Sequence, residues 1–224
     1  MNLINIYKSL DHWVSINANG KYYSDDFIEE KEENLIVDES YGIQQNRKEI
    51  FSFVKTLLKK KKRNICLEIG IGHVGSTHFL FRHLFKKTIT IELDKNRVFD
   101  FRDRLTKYCN KYVLDDGKSH FVYGSSSDSL TILKIVNFLK KKKIDLLFID
   151  GSHIFKDVLT DWLIYKNFVA NSGIIAFHDC NNRINNDGGV PKLINFIKKN
   201  DKKIKIKKIV YSKNMGIAYY FVQK

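Results

Sequence analysis

The chain of 224 residues carries 39 Lys+Arg against 25 Asp+Glu, a formal net charge of +14, with 43% apolar and 13% aromatic residues. That length and apolar fraction support a well-packed core and exclude a mainly disordered chain, and no apolar run approaches the ~20 residues of a membrane span. Residues 1–10 show no basic segment followed by an apolar block, and Cys66, Cys109 and Cys180 share no metal-ligand spacing, so the expectation is a cytoplasmic protein with no signal peptide and no membrane association.

Residues 1–43 are polar and aromatic, with an acidic stretch at 25–33, and read as an N-terminal extension or cap to a domain spanning 44–224. Apolar positions recur at helical spacing from 44 to 60, through Ile50, Phe53, Val54, Leu57 and Leu58. The pattern then alternates. Residues 64–69 (NICLEI) read as a buried strand, 73–86 as a helix, 88–93 (TITIEL) as a strand, 95–107 as a helix and 120–123 as a short strand. A helix over 130–142 follows, N-capped by Ser127 or Asp128. Residues 144–150 (IDLLFID) form a strong buried strand, 155–170 a helix and 173–178 (GIIAFH) a further buried strand. Pro191 opens a helix over 191–199, where its missing N–H costs nothing, and strands at 205–210 and 217–222 close the chain.

Five strands alternating with helices imply a parallel sheet covered on both faces. The last two strands have no room for a crossover helix and must form an antiparallel hairpin at one edge. The expected fold is therefore α/β: a Rossmann-like doubly wound sheet of seven strands, the last antiparallel, with helices on both faces. That ending argues against a dinucleotide-binding sheet, which keeps adding parallel strands.

The segment Glu68 through Gly75 (EIGIGHVG) follows the first strand and opens a helix. Glycines allow a tight turn and close backbone approach to a ligand, and the helix start offers free N–H groups. Gly70, Gly72 and Gly75 read literally as GxGxxG, and Glu92 at the end of the second strand is placed to accept hydrogen bonds from ribose hydroxyls. Glu68 decides between ligands. A carboxylate at that point opposes a pyrophosphate and suits the ammonium of a methionine moiety.

These residues, with Ile91-Glu92-Leu93-Asp94, residues 144–153 (IDLLFIDGSH), 173–179 (GIIAFHD) and Gly189-Val190, resemble a class I S-adenosylmethionine-dependent methyltransferase. Within that class they resemble the cephalosporin-hydroxylase-like and macrocin O-methyltransferase-like enzymes that act on small molecules and sugars, over roughly residues 41 to 222. The resemblance implies S-adenosylmethionine held by Glu68, Gly70, Gly72, Gly75, Ser76, Glu92, Ser125, Ser126 and Asp150, and makes 44–224 the methyltransferase domain. The family's usual third glycine falls at Val74, with the glycine here displaced to Gly75, and Ser125 stands where many relatives carry an acidic residue for the adenine amino group.

Asp150 and Asp179 end the fourth and fifth strands, which should be neighbours, so their carboxylates should converge. Convergent carboxylates repel unless they share a proton or a cation. Metal-dependent members of the resembled family place ligands at positions matching Asp150, His178 and Asp179; oxygen ligands favour Mg²⁺, and a histidine admits Mn²⁺. His153, three residues after Asp150, suits removal of a hydroxyl proton at neutral pH, which makes His153, Asp150 and Asp179 the candidate catalytic set.

The polar segment 180–189, with Arg183, is placed as a substrate loop, and Tyr22, Tyr23 and Gln44 either cover the site or pack as a terminal arm. Asp145 and Asp161 read as structural. The leading expectation is O-methylation of a hydroxyl on a small molecule or sugar, by a chain whose relatives often form homo-oligomers. An RNA methyltransferase is the alternative that the charge suggests. The chain has 32 lysines against 7 arginines, clustered at predicted helix ends, which is the signature of solvated faces more than of a nucleic-acid interface. An NAD-dependent oxidoreductase is disfavoured by Glu68, and a non-catalytic binding module by the presence of Asp150, His153 and Asp179.

Overall fold

Two strands are apolar on both faces, and they form the centre of the sheet. In the computed structural model, which describes residues 3–23, 43–72, 74–112, 117–181 and 188–223, β1 (Ile65–Ile69) and β4 (Ile144–Ile149) are buried throughout. Strands without a polar face need cover on both sides, as parallel sheets have. On one side of β1 lie β2 (Lys87–Glu92) and then β3 (Ser119–Tyr123). On the far side of β4 lies β5 (Val169–Phe177). These five strands are parallel, in the order β3-β2-β1-β4-β5. Strand β7 (Ile217–Phe221) then pairs antiparallel with β5, and β6 (Lys207–Ile209) pairs with β7 at the edge. This is the expected α/β sheet of seven strands, completed by an antiparallel hairpin.

One face is covered by α1 (Leu3–Asn17), α2 (Arg47–Leu58), α3 (Ser76–Leu84) and α4 (Lys95–Tyr112). Their Trp13, Phe53, Phe79 and Phe101 pack with Cys66, Phe148 and Ala176 of the strands. The other face is covered by α5 (Ser129–Leu139), α6 (Phe155–Tyr165) and α7 (Gly189–Asn200), whose Ile135, Val158, Trp162 and Leu193 meet Leu67, Leu147 and Ile175. Side chains alternate across a strand, so the two clusters divide each central strand residue by residue.

Local caps account for two helix starts. The Asn46 side chain accepts from the Lys48 and Glu49 N–H groups at the start of α2, and Asp128, one of the two expected caps, accepts from Leu130 and Thr131 at the start of α5. No helix among the described residues is long and apolar enough to cross a membrane.

Two elements differ from the sequence reading. The helix expected over 155–170 ends at Tyr165, passes through a 3₁₀ turn at Lys166–Phe168, and gives way to β5 at Val169. Val169 pairs with Ile144, and the strand then bulges through Ser172 (φ +62°) before regaining register at Ile174. The buried pairing beside β4 overrides helical continuation at these residues. The other difference is α1, for which no helix was expected. Ile6, Leu10, Trp13 and Val14 lie at helical spacing and are buried in the first cluster.

The hairpin is secured from below by Glu49 of α2, which is fully buried. Its carboxylate accepts from the N–H groups of Tyr211 (2.7 Å), Ser212 (2.9 Å) and Gly216 (2.9 Å) and from the Ser212 hydroxyl (2.9 Å). Asp145 accepts from the Asn64 and Ile65 N–H groups and joins the starts of β4 and β1, a structural role as expected.

Asp161 on α6 is 3% exposed, and burial pushes its pKa up to about 6 against a partial offset from the Ser126 hydroxyl. The folded acid thus binds its proton more tightly than the unfolded chain, so stability falls as pH rises from the unfolded value near 4 through 6. Asp161→Asn should raise unfolding free energy at pH 8 by about 1 kcal/mol more than at pH 5. Urea titrations at the two pH values test this, and an equal effect at both would refute it.

Candidate functional site

The site forms where β1 and β4 end side by side. Gly70 follows β1 with φ +87°, and a Cβ there would lie 2.3 Å from the Asp150 carbonyl oxygen. The loop after β1 therefore lies directly against the residue that ends β4, and the Asp150 N–H donates to the Ile69 carbonyl (2.9 Å). Gly72 also has positive φ (+65°), but a Cβ there would meet no atom of the described residues within 4 Å. Gly75 (φ +60°) precedes α3 and faces the Phe101 ring, 2.1 Å from a would-be Cβ. Val74 is buried, and its carbonyl accepts from the Trp13 indole N–H (3.2 Å). Trp13 stacks on Phe79 with centroids 4.3 Å apart, so α1 anchors the glycine loop from beneath. Ser76, the first residue of α3, is buried.

Glu68 is fully buried and not a surface charge. Its Oε2 accepts from the Thr90 hydroxyl at 2.5 Å, and its Oε1 has no hydrogen-bond partner among the described residues. Glu92 closes the other end of the loop. Its two oxygens accept from the N–H groups of Ile71 (2.8 Å) and Asp94 (2.9 Å), which leaves a further lone pair on each. Beside it, Leu93 is 73% exposed. Ser125 is exposed, with its hydroxyl 3.0 Å from that of Ser127, while the Ser126 carbonyl accepts from Tyr165 (2.6 Å).

The carboxylates of Asp150 and Asp179 converge, because β4 and β5 are paired neighbours. His178 Nδ1 lies between them, 3.1 Å from Asp150 Oδ1 and 3.2 Å from Asp179 Oδ1. Burial works against charge on His178, but the two carboxylates outweigh it and hold its pKa well above the ordinary histidine value. For Asp179 burial acts upward, yet His178 and His153 lower the pKa below the carboxylate range. For Asp150 burial prevails and the pKa is raised. His153 Nε2 lies 2.7 Å from Asp179 Oδ2, and that hydrogen bond raises its pKa in spite of partial burial. Asp179 itself is held at φ +56°, an uncommon conformation for a residue with a side chain, of the kind that clusters at functional sites.

Asp150, His153 and Asp179 each present a ligand atom, all within 4.8 Å of one another. The cation-capable trio thus contains His153, whereas His178 of the expected ligand set stands behind the two carboxylates with its Nδ1 directed at both. Gly189 at the start of α7 fixes the loop that carries His153: its N–H donates to the His153 carbonyl (3.1 Å), and a Cβ there would lie 2.2 Å from that oxygen. On the opposite side Cys180 and Asn181 donate their N–H groups to the Gly216 and Met215 carbonyls, tying the segment after β5 to the hairpin turn.

Gln45 was not anticipated. It is buried, its Nε2 donates to Asp150 Oδ2 (3.3 Å), and its Oε1 has no partner among the described residues. Gln44 is exposed. Tyr22 donates to Asp11 (2.8 Å), which also pairs with Arg47, and Tyr23 donates its N–H to Ile43 and Gln45 carbonyls, so the pair forms the arm that presents Gln45. Nothing in the local sequence distinguishes Gln45 from Gln44; the turn into α2 selects it. Arg183 and most of the expected substrate loop lie outside the described residues.

A sheet ordered β3-β2-β1-β4-β5-β7-β6 with β7 antiparallel, a glycine loop after β1 and acids at the strand ends define a class I S-adenosylmethionine-dependent methyltransferase. The chain belongs to the methyltransferase-domain family, whose model matches residues 67–180, just over half of its length. Among solved structures it is similar to an rRNA methylase from Streptococcus thermophilus, with 10% identity, 81% of this chain and 99% of that chain covered, and a TM-score of 0.59. It is also similar to the O-methyltransferase TomG from Streptomyces achromogenes in complex with SAM (15%, 76% and 77%, TM-score 0.56), and to the calicheamicin methyltransferase CalS11 (10%, 77% and 76%, TM-score 0.56). At these identities the likeness is one of fold. No curated protein matches the chain.

The two loop glycines should respond differently to substitution. Gly70→Ala combines positive φ with a backbone clash and should cost several kcal/mol, roughly 3 or more, whereas Gly72→Ala meets no atom of the described residues and should cost about 1 kcal/mol from backbone strain. Urea unfolding of both variants checks the contrast; equal losses would refute it.

Proposed function

We propose that the enzyme transfers the methyl group of S-adenosylmethionine to a hydroxyl oxygen of a small molecule or sugar, with His153 receiving the acceptor's proton. The observation that carries this reading is the His153–Asp179 contact of 2.7 Å beside Asp150, at the open ends of β4 and β5. Glu68 Oε1, buried and without a partner among the described residues, suits the cofactor's α-ammonium. Glu92 suits the ribose hydroxyls, and Leu93 offers an apolar face to the adenine. Ser125 supplies a hydroxyl where many relatives of this type carry an acid.

Methyl transfer is an in-line displacement at the sulfonium methyl. The protein's part is to orient donor and acceptor, exclude water and remove one proton. Asp179 lies 2.7 Å from His153 Nε2 and orients the ring that takes the acceptor's proton. Asp150, held by Gln45 and His178, faces the same space. Asp150, His153 and Asp179 could instead hold a divalent cation, with oxygen ligands suiting Mg²⁺ and the imidazole admitting Mn²⁺; His153 would then be a ligand and not the base, and the ion would lower the pKa of the acceptor hydroxyl. A nucleic-acid acceptor is the second reading, favoured by the net charge of +14 and by fold likeness to the rRNA methylase.

Turnover of S-adenosylmethionine against panels of hydroxylated small molecules, sugars and RNA distinguishes these readings. His153→Gln should lower kcat by roughly 10²-fold or more while leaving S-adenosylhomocysteine affinity within a few-fold. An unchanged kcat would remove His153 from the chemistry. Treatment with a chelator followed by dialysis separates base from ion: full activity leaves proton removal to His153 without an ion, and loss of activity restored by Mn²⁺ or Mg²⁺ assigns it to an ion held by the trio.

A further inference from the structure

Beneath the glycine loop lies a row of buried polar groups that the proposed chemistry does not use. Parallel pairing of β1 with β2 sets Glu68 opposite Thr90. The Thr90 hydroxyl donates to Glu68 Oε2 (2.5 Å), and Thr90 Oγ1 lies 2.6 Å from His78 Nδ1 on α3. The hydroxyl's single proton is committed to Glu68 Oε2, so Thr90 accepts from His78. This sets the direction of the row, with the proton of His78 on Nδ1. The ring of His78 is fully buried between Phe101 and Phe121, with centroids 4.9 Å and 4.8 Å away, and its Nε2 has no partner among the described residues. Burial holds the pKa of His78 below the ordinary histidine value, which keeps the ring neutral at pH 7 with one proton to place.

The row engages only one oxygen of Glu68. A carboxylate free to rotate could turn either oxygen toward the loop; with Oε2 held by Thr90, and Thr90 held by His78, Oε1 is the oxygen left to a ligand. We propose that His78 and Thr90 are positioning residues that fix the Glu68 carboxylate with Oε1 presented to the cofactor's methionine end, and so set how strongly the enzyme distinguishes a ligand bearing an α-ammonium from one without it. The inference rests on the reading that Glu68 receives that ammonium.

Calorimetry compares S-adenosylhomocysteine with its analogue lacking the α-amino group. Wild type should prefer the amino compound by about 30-fold or more, Thr90→Val and His78→Leu should cut that preference about 5–10-fold, and Thr90→Ser should retain it, with affinity for the desamino analogue little changed throughout. Equal affinity of wild type for both ligands would sink the reading of Glu68, and this inference with it. Wild-type preference that persists undiminished in Thr90→Val and His78→Leu would overturn the positioning role alone. The ¹⁵N spectrum of the histidine-labelled wild-type protein supplies a test that needs no variant: His78 should show the Nδ1–H tautomer, and the Nε2–H tautomer would overturn the proposal.

Discussion

The two carboxylates that end β4 and β5 face the same space, and the site depends on what holds them there together. His178 Nδ1 lies within 3.2 Å of both. The ring is buried, so its charge is poorly solvated and its interaction with the acids is little screened. The same contacts that raise the pKa of His178 lower that of Asp179, while burial together with the neighbouring Asp179 keeps the Asp150 carboxyl's pKa raised. The pair is thus balanced within the protein and still directs oxygens outward beside His153.

Backbone contacts hold this arrangement rigid from three directions. Gly70 packs on the Asp150 carbonyl, Gly189 packs on the His153 carbonyl, and Cys180 and Asn181 bond to the hairpin turn. Glu49 secures that turn with four hydrogen bonds, and Gln45, four residues earlier, reaches Asp150. One helix start therefore supports both the floor and the wall of the site. At the two glycines the reason for the residue is space: a Cβ would overlap the carbonyl oxygen of Asp150, which follows β4, or that of His153 in the loop before α6.

Part of the net charge of +14 lies on lysines at helix ends and on the edge strand. Lys140 and Lys141 follow α5 in left-handed conformation, Lys198 and Lys199 fall in the last turn of α7, and Lys207 and Lys208 stand exposed on the edge strand β6. Cations at helix ends complement the helix dipole, and lysines on an edge strand discourage pairing with another chain. The groups gathered at the strand ends are by contrast acids and imidazoles, with Lys208 Nζ donating to the Cys180 carbonyl beside them (3.3 Å).

The sequence by itself determined the sheet and the chemistry-bearing strand ends. The apolar runs of β1, β4 and β5 have no polar face and so must be central; Glu68, Asp150 and Asp179 are each attached to such a run, so their placement follows from local pattern. The strand hairpin at the end follows from the lack of room for a helix. Only the tertiary structure decided the rest. Helical continuation past Tyr165 lost to pairing of Val169 with Ile144, a partner 25 positions away. The selection of Gln45 over Gln44, the four bonds of Glu49 and the row from His78 through Thr90 to Glu68 all arise from register and helix packing between distant segments. Local propensity and periodicity report what a residue prefers near its own neighbours; which buried polar groups meet is set by closure of the whole core, where each must find a partner or remain without one.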